Sequence, residues 1–250
     1  MGTLSQIFEE IKEAESIVIL AHENPDGDAV GTSLALYNAL KNFGKEEVDI
    51  IIPECPEIFM FLPNADKIKK SSDIENYDLA IGIDCSSLQM LCRGKRYFET
   101  AERTIVIDHH DTNAMYGDLN FVNPDAPACA EVMIVALNSF EMPITKDIGT
   151  CLLAGIITDT GGFKYQGVTA ETFKFVRFLD TKLCFDISID KITHIQRRGS
   201  RRCKSRWSTR KMATVTAKQL ESMMQSHVRA ETGMSLEQAT PMDYWTALAK

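Results

Sequence analysis

The sequence predicts an α/β fold in which a parallel sheet is flanked by helices. Short runs of β-branched and aliphatic residues alternate with segments of helical length, the order typical of right-handed β-α-β units. The first run, Ile17–Leu20, is apolar at every position, as expected for a strand that is buried on both faces. Several runs end in an acidic residue, and ligands bind at the carboxyl ends of the strands in such sheets.

The first two predicted strands lie on either side of a helix. Ser16–Ala21 is predicted to be a strand because its apolar run is short and continuous. Ala29–Phe43 is predicted to be a helix because its apolar residues recur at helical spacing, and Gly44 follows as a natural helix end. Val48–Ile52 is the second strand, closed by Pro53.

Further strands and helices follow in alternation. The composition of Lys146–Thr158 fits either a helix or a strand, and its length favours a helix that delivers Asp159 at its end. The remaining predicted elements are strands at Asp78–Asp84 and Thr104–Asp108 and helices at Ala130–Phe140 and Thr169–Leu179.

The chain changes character near residue 186. Residues 1–190 are strongly acidic, whereas nine Lys or Arg residues and no acid lie between Lys191 and Lys211. That basic run could attract a nucleic-acid backbone, but Trp207 is the only aromatic residue in it that could stack on a base, which favours a linker or the product of a shifted reading frame. We therefore expect a globular domain over residues 1–185 and a short irregular, partly helical tail over residues 186–250.

The composition argues against several classes of protein. The 250 residues are 44% hydrophobic and 25% charged, which is ordinary for a globular protein. No apolar stretch approaches the length of a membrane span, and the start of the chain does not have the pattern of a signal peptide. The seven cysteines form no CxxC pair, which argues against a disulfide framework or a zinc knuckle. We expect a cytoplasmic protein that does not bind a membrane.

Acidic and imidazole side chains follow four of the predicted elements, and three of the five histidines lie in two of these places. Because the carboxyl ends of parallel strands meet at one edge of a sheet, we expect the four places to form one site. They are His22 with Asp26 and Asp28, then Asp84, then Asp108-His109-His110, and finally Asp159.

Each place also has a simpler interpretation. The segment Asn24–Asp28 is rich in turn residues, and Asp28 could cap the helix that follows. Asp84 and Asp159 could close turns, and the two adjacent histidines could be surface imidazoles. The convergence of all four places on one sheet edge favours a site.

The combined side chains could hold two divalent cations that share one carboxylate. Two closely spaced carboxylates raise each other's pKa unless a cation lies between them. Asp and His ligands without Cys favour Mn²⁺ or Mg²⁺ over structural zinc. Two such ions activate water and stabilise the oxygens of an in-line displacement, so the sequence predicts hydrolysis of a phosphoester.

These segments resemble, in order, the four motifs of the DHH phosphoesterase superfamily. The Asn-Pro-Asp-Gly-Asp form is most similar to the branch of bifunctional oligoribonucleases and 3′-phosphoadenosine 5′-phosphate (pAp) phosphatases, the nanoRNases. The resemblance covers about residues 1–185, which makes them the expected DHH catalytic domain. It rests on His22-Glu23-Asn24-Pro25-Asp26-Gly27-Asp28-Ala29-Val30-Gly31, Asp84, Asp108-His109-His110 and Thr158-Asp159-Thr160-Gly161.

The resemblance implies two Mn²⁺ ions, with Mg²⁺ as the alternative, and a bridging Asp84. It also implies two catalytic residues. Asp108 would orient a histidine ring by a hydrogen bond, and His110 would donate to the phosphate oxygens or to the leaving group. Residues that bind the rest of the substrate are not identified. The implied metal ligands are His22, Asp26 and Asp84 for one ion, and Asp28, Asp84, His109 and Asp159 for the other.

The tail departs from the family pattern. The family carries a second domain with a Gly-Gly-His segment that binds the substrate, and no Gly-Gly pair occurs after residue 186. A truncated or frame-altered region and a divergent native tail both fit, and we expect the former. The expected activity is Mn²⁺-dependent hydrolysis of short oligoribonucleotides or pAp, impaired by loss of that domain.

Two alternative functions remain open. One is a cyclic dinucleotide phosphodiesterase on the same scaffold, and the other is a non-catalytic metal-binding remnant or interaction protein. The expected partner is a short oligoribonucleotide or nucleotide substrate, and the sequence is compatible with a homodimer.

Overall fold

The structure is a computed structural model that describes residues 3–165 and 167–183. Contacts between residues divide the chain into two compact units after Gly167. The helix that begins at Ala170 belongs to the second unit. Helices α1–α6 span Thr3–Glu13, Gly27–Asn42, Lys95–Thr100, Cys129–Ser139, Lys146–Asp159 and Ala170–Leu183. Strands β1–β6 span Ser16–Ala21, Glu47–Ile51, Ile68–Lys69, Leu79–Ile83, Arg103–Asp108 and Leu119–Val122. Short 3₁₀ turns occupy Glu57–Phe59, Ala65–Lys67 and Leu88–Gly94.

The strands of the described segment form one sheet in the order β3-β2-β1-β4-β5-β6, and every pair is parallel. This confirms the predicted fold class. The chain runs outward from β1 to β2 and β3 and then returns to β4 on the other side of β1. The strand order therefore reverses between β1 and β4, and such a reversal leaves a crevice at the carboxyl ends of the strands. His22 and Asp84 directly follow these two strands.

Different elements cover the two faces of the sheet. On one face, Val18, Leu20 and Val106 pack with Tyr97 and Phe98 in a buried cluster. Alternate residues of the same strands point to the other face, where α2 and α4 contact the strands. Strands β1 and β4 are therefore covered on both sides, as the continuous apolar run of β1 predicted. Such strands hold the residues at their carboxyl ends on a rigid frame.

Helices α2 and α5 approach each other closely because glycines leave room between them. A Cβ atom on Gly31 would lie 2.5 Å from the carbonyl oxygen of Cys151. One on Gly27 would lie 2.5 Å from the side chain of Thr158. Gly27 and Gly31 are four residues apart and so share one face of α2. This packing fixes the start of α2 beside the end of α5.

The variant Gly31→Ala is expected to lower the free energy of unfolding by ~1–3 kcal/mol, because the backbone that a methyl group would meet cannot move aside cheaply. Gly94→Ala is the matched control. Gly94 has a φ of −71°, and the three atoms nearest to its added Cβ all belong to the Leu20 side chain, the closest at 3.3 Å, so the methyl group would meet no backbone at close range. Chemical denaturation of both variants measures the difference, and equal losses of stability would contradict the proposed role of the close helix contact.

Most predicted elements are confirmed with small shifts in their ends. Strand β1 spans the predicted residues, α2 begins two residues earlier than predicted, and residues 146–159 form a helix as their length favoured. Elements α1, α3, β3 and β6 were not predicted. The predicted domain boundary at residue 185 and the tail over residues 186–250 lie outside the described residues. Among the described helices, none has both the length and the apolar character needed to cross a membrane.

Candidate metal centre

Asp26 begins α2 and forms one side of the site. Its Oδ1 atom accepts hydrogen bonds from the backbone N–H groups of Asp28 and Ala29, each at 3.0 Å. Asp26 is thus the N-cap of α2, and the simpler interpretation, in which Asp28 has that role, is wrong. His22 precedes it directly after β1, with its Nε2 atom 3.9 Å from Oδ2 of Asp84.

Asp28 is fully buried and joins α2 to the start of α4. Its carboxylate accepts the backbone N–H groups of Cys129, at 2.5 Å, and Ala130, at 3.0 Å, and the hydroxyl of Thr32, at 3.0 Å. The N-cap position of α4 itself provides no side-chain acceptor, so Asp28 satisfies these N–H groups from another helix. Gly155 of α5 provides space for the carboxylate, since a Cβ there would lie 2.6 Å from Oδ1.

Asp84 lies at the centre of the site, directly after β4. Its backbone has a φ of +53°, a left-handed conformation that costs roughly 1–3 kcal/mol in a non-glycine residue. The residue is 2% exposed, and its Oδ1 atom accepts no hydrogen bond from the described residues. A buried carboxylate oxygen in this state is strongly destabilised unless a cation contacts it.

His109 and His110 follow β5 and contact different partners. Nδ1 of His109 is 3.0 Å from the carbonyl oxygen of Ala126, to which it donates. Its Nε2 atom then points at Oδ1 of Asp84 and Oδ2 of Asp159, each at 3.4 Å. This arrangement fixes the tautomer that leaves Nε2 free as a ligand.

Nδ1 of His110 instead donates to Oδ1 of the fully buried Asp108, at 2.7 Å. Oδ2 of Asp108 accepts from Asn113, at 2.6 Å. Burial acts to raise the pKa of Asp108, but the hydrogen bonds from His110 and Asn113 outweigh it and lower that pKa. The hydrogen bond to Asp108 raises the pKa of His110, which favours a protonated imidazole.

The site brings together all six predicted metal ligands. Within each group, one ligand atom from every residue lies within 4.8 Å of the others. Asp84 and His109 each belong to two of the groups. The groups are His22 with Asp26 and Asp84, Asp28 with His109 and Asp159, and Asp84 with His109 and His110.

The charge balance of these side chains fits bound cations. Burial, followed by the nearby carboxylates of Asp84 and Asp159, raises the pKa of Asp28 well above its usual range. Burial likewise raises the pKa of Asp159 to about 6. Burial opposes protonation of His109, but the carboxylates of Asp84 and Asp28 outweigh it and raise its pKa to about 10. Divalent cations would relieve this crowding of carboxylates, so the donor set and its electrostatics fit a metal centre.

Comparison with known proteins identifies the family. Residues 16–156, more than half of the chain, match the family described as DHH family, N-terminal domain. The chain belongs to the DHH family. This confirms the resemblance seen in the sequence.

Two known proteins show what this DHH chain is similar to. It is 34% identical over 170 residues to the bifunctional oligoribonuclease and PAP phosphatase NrnA of Thermus thermophilus, which is 67% of this chain and 51% of that protein. An exopolyphosphatase-related protein from Bacteroides fragilis has the same fold, with a TM-score of 0.70, 24% identity and coverage of 77% of this chain and 59% of that chain. The DHH chain spans about half the length of the curated relatives it matches.

Metal affinity of this DHH chain is expected to rise with pH, because a bound ion needs Asp159 and His109 without their protons. Between pH 6 and 8 the proposed ligand His109 must lose a proton, and Asp28, whose pKa is also raised, can hold another, so we expect the Mn²⁺ affinity to increase at least about tenfold per pH unit. Below the Asp159 pKa of about 6, one further proton must leave, and the dependence steepens by about another tenfold per unit. Calorimetric titration with Mn²⁺ at pH 5–8 measures this. Asp159→Asn should lose only the steeper part, whereas a pH-independent affinity of the unaltered chain would contradict the assignment.

Some residues that build the DHH site escaped sequence reasoning. Asn113 was not predicted, although it follows Asp108 by five residues in a polar loop. Gly155 has no side chain that could mark it as part of a site, and its role depends on the proximity of α5 and α2. The Ala126 carbonyl and the N–H groups at the start of α4 are backbone atoms with no signature in the sequence.

Proposed function

We propose that this chain is a metal-dependent phosphoesterase that hydrolyses short oligoribonucleotides, pAp, or both. The observation that carries the proposal is the buried Asp84 side chain, which lies in a group with His22 and Asp26 and has Nε2 of His109 3.4 Å from its Oδ1 atom. Among the described residues, no donor makes a hydrogen bond to that oxygen. A carboxylate between two cations is the arrangement that phosphoester hydrolysis by two metal ions requires.

The proposed ligands divide between two ions as the resemblance implies. Mn²⁺, or Mg²⁺ as the alternative, would activate a water molecule and stabilise charge on the phosphoryl oxygens when bound here. Asp28 has three hydrogen-bond donors on its carboxylate and one acceptor position left, which suits a single bond to a metal. The ligands are His22, Asp26 and Asp84 for one ion, and Asp28, Asp84, His109 and Asp159 for the other.

His110 is the proposed general acid. Its Nδ1 atom is held by Asp108, so its Nε2 atom is the nitrogen that can donate to a phosphoryl or leaving-group oxygen. The raised pKa of His110 favours the protonated form that this role requires. Asp108 keeps the ring oriented and stabilises its positive charge. His110 also lies in a group with Asp84 and His109, so a role as a metal ligand is the competing assignment.

The substrate class is proposed from the relatives. The relatives from Thermus thermophilus and Bacillus subtilis are both named bifunctional oligoribonuclease and PAP phosphatase NrnA. Their similarity to this chain covers the domain that holds the site. We likewise propose that the whole chain has this activity, lies in the cytoplasm and forms a homodimer.

A side-by-side hydrolysis assay tests this function. The chain is incubated with Mn²⁺, Mg²⁺ or a chelator, and with pAp, a ribodinucleotide or a cyclic dinucleotide. We expect Mn²⁺-stimulated release of phosphate from pAp or of mononucleotides from the dinucleotide, and none with the chelator. Faster cleavage of the cyclic dinucleotide would identify the alternative phosphodiesterase. No metal-stimulated hydrolysis of any of the three would overturn the proposal.

A further inference from the structure

Asn113 lies outside the four sequence motifs, yet its side chain makes several hydrogen bonds beside the site. Its Nδ2 atom donates to Oδ2 of Asp108, at 2.6 Å, and to the carbonyl oxygen of Cys85, at 3.3 Å. Its Oδ1 atom accepts the backbone N–H of Met115, at 2.7 Å, and its own N–H donates to the carbonyl oxygen of His110, at 3.2 Å. One amide side chain therefore connects the loop after β4 with the loop after β5.

The carboxylate of Asp108 depends on both of its side-chain partners. The residue is fully buried, and each of its two oxygens accepts from one side chain, His110 on Oδ1 and Asn113 on Oδ2, beside a backbone hydrogen bond from His109. If only His110 were present, Oδ2 would be buried without a side-chain donor, and the carboxylate could rotate about its bond to Cβ. The plane of the carboxylate, and with it the direction of the His110 ring, would then be less well defined.

The contact with Cys85 extends this effect to the centre of the site. Cys85 directly follows Asp84, and its carbonyl oxygen also accepts the hydroxyl of Tyr116, at 3.0 Å. Asn113 therefore contacts the loop that carries Asp84 while it holds the residue that orients His110. A side chain at this place can fix the position of His110 relative to Asp84.

We propose that Asn113 is a positioning residue that fixes the Asp108 carboxylate, and through it the His110 ring, for hydrolysis of the phosphoester. The inference rests on the proposed function for its consequence in catalysis. Its structural part, the control of His110 by Asn113 through Asp108, can be measured without turnover.

A double-mutant cycle tests the catalytic part. Asn113→Leu removes the amide at similar size, and we expect kcat to fall about tenfold to a hundredfold, with KM and calorimetric Mn²⁺ affinity within about twofold of the unaltered chain. In a His110→Ala background, Asn113→Leu is expected to cause no further fall in kcat, because the residue that it positions is absent.

Two further variants keep the test decisive. Asn113→Ser retains an acceptor for the Met115 N–H and cannot reach Asp108, so it replaces the leucine variant if that variant does not fold. Asn138→Leu is the matched control, since its amide donates to the Ile134 carbonyl within α4. It should leave kcat unchanged.

The structural part is tested by NMR of histidine labelled with ¹⁵N. The proton on Nδ1 of His110 should exchange with water about tenfold faster in Asn113→Leu, the effect expected from loss of roughly one hydrogen bond's stabilisation. Unchanged exchange, or equal loss of kcat in both backgrounds of the cycle, would show that Asn113 does not act through His110. If the unaltered chain hydrolyses no phosphoester, the proposed function fails, and the exchange rates still decide whether Asn113 positions His110.

Discussion

Asp84→Ala is expected to weaken metal binding by both groups of ligands and to lower metal-dependent phosphoester hydrolysis by roughly a thousandfold or more, equivalent to ~4 kcal/mol of transition-state stabilisation. Asp84 lies in the group with His22 and Asp26, and its Oδ1 atom is 3.4 Å from Nε2 of His109, a ligand of the other proposed ion. Its loss would therefore remove a ligand from each proposed ion. The fold should persist, because alanine removes a buried carboxylate oxygen that accepts no hydrogen bond from the part of the chain that the structure describes. Calorimetry with Mn²⁺ and the hydrolysis assay measure the two effects.

The exposed residue Asp73 provides the control for the loss of a negative charge. Asp73→Ala should keep both Mn²⁺ stoichiometry and turnover. Two tightly bound ions in Asp84→Ala would rule out a bridging role for Asp84.

His110→Ala is expected to separate catalysis from metal binding. General acid catalysis contributes typically 10²–10⁴-fold, so we expect kcat to fall by about that factor while Mn²⁺ affinity stays nearly intact. His109→Ala should instead lower metal affinity, because Nε2 of His109 faces both Asp84 and Asp159.

The comparison of the two histidine variants decides their roles. Equal loss of Mn²⁺ in both variants would make His110 a metal ligand, as its proximity to Asp84 allows. A loss of metal confined to His110→Ala would mean that the two roles are reversed. A substrate with a good leaving group should be less affected in His110→Ala, since such a group leaves without a proton.

The parallel sheet could be predicted because each of its central strands is marked by a short apolar run in the sequence. The apolar run of β1 and the acidic ends of the strands appear in the sequence, and parallel strands bring those ends together. Elements that depend on distant neighbours were missed. Strand β6 is only half-buried along its length, and β3 has two residues, so neither leaves a strong apolar pattern.

The partners within the site were less predictable than its members. Asp28 could be recognised as a candidate, but sequence spacing suggested a local helix cap, whereas its carboxylate contacts residues about a hundred positions later. Asn113 was likewise hidden, because an amide in a polar loop has many local roles. The roles of Asp28 and Asn113 depend on contacts between elements that are distant in the sequence, and the spacing of residues in one sequence does not predict such contacts.

The hydrogen bonds of the Asp28 carboxylate connect metal binding with the stability of the fold. One side chain connects the first turn of α2 with the first turn of α4, and a bound metal ion would keep that carboxylate in its charged form. When a chelator removes the ions, the crowded carboxylates favour taking up a proton, and a protonated Asp28 is a weaker acceptor for the two N–H groups of α4. Chelation would therefore weaken the contact between these two helices first, so the proposed metal centre would also stabilise the fold.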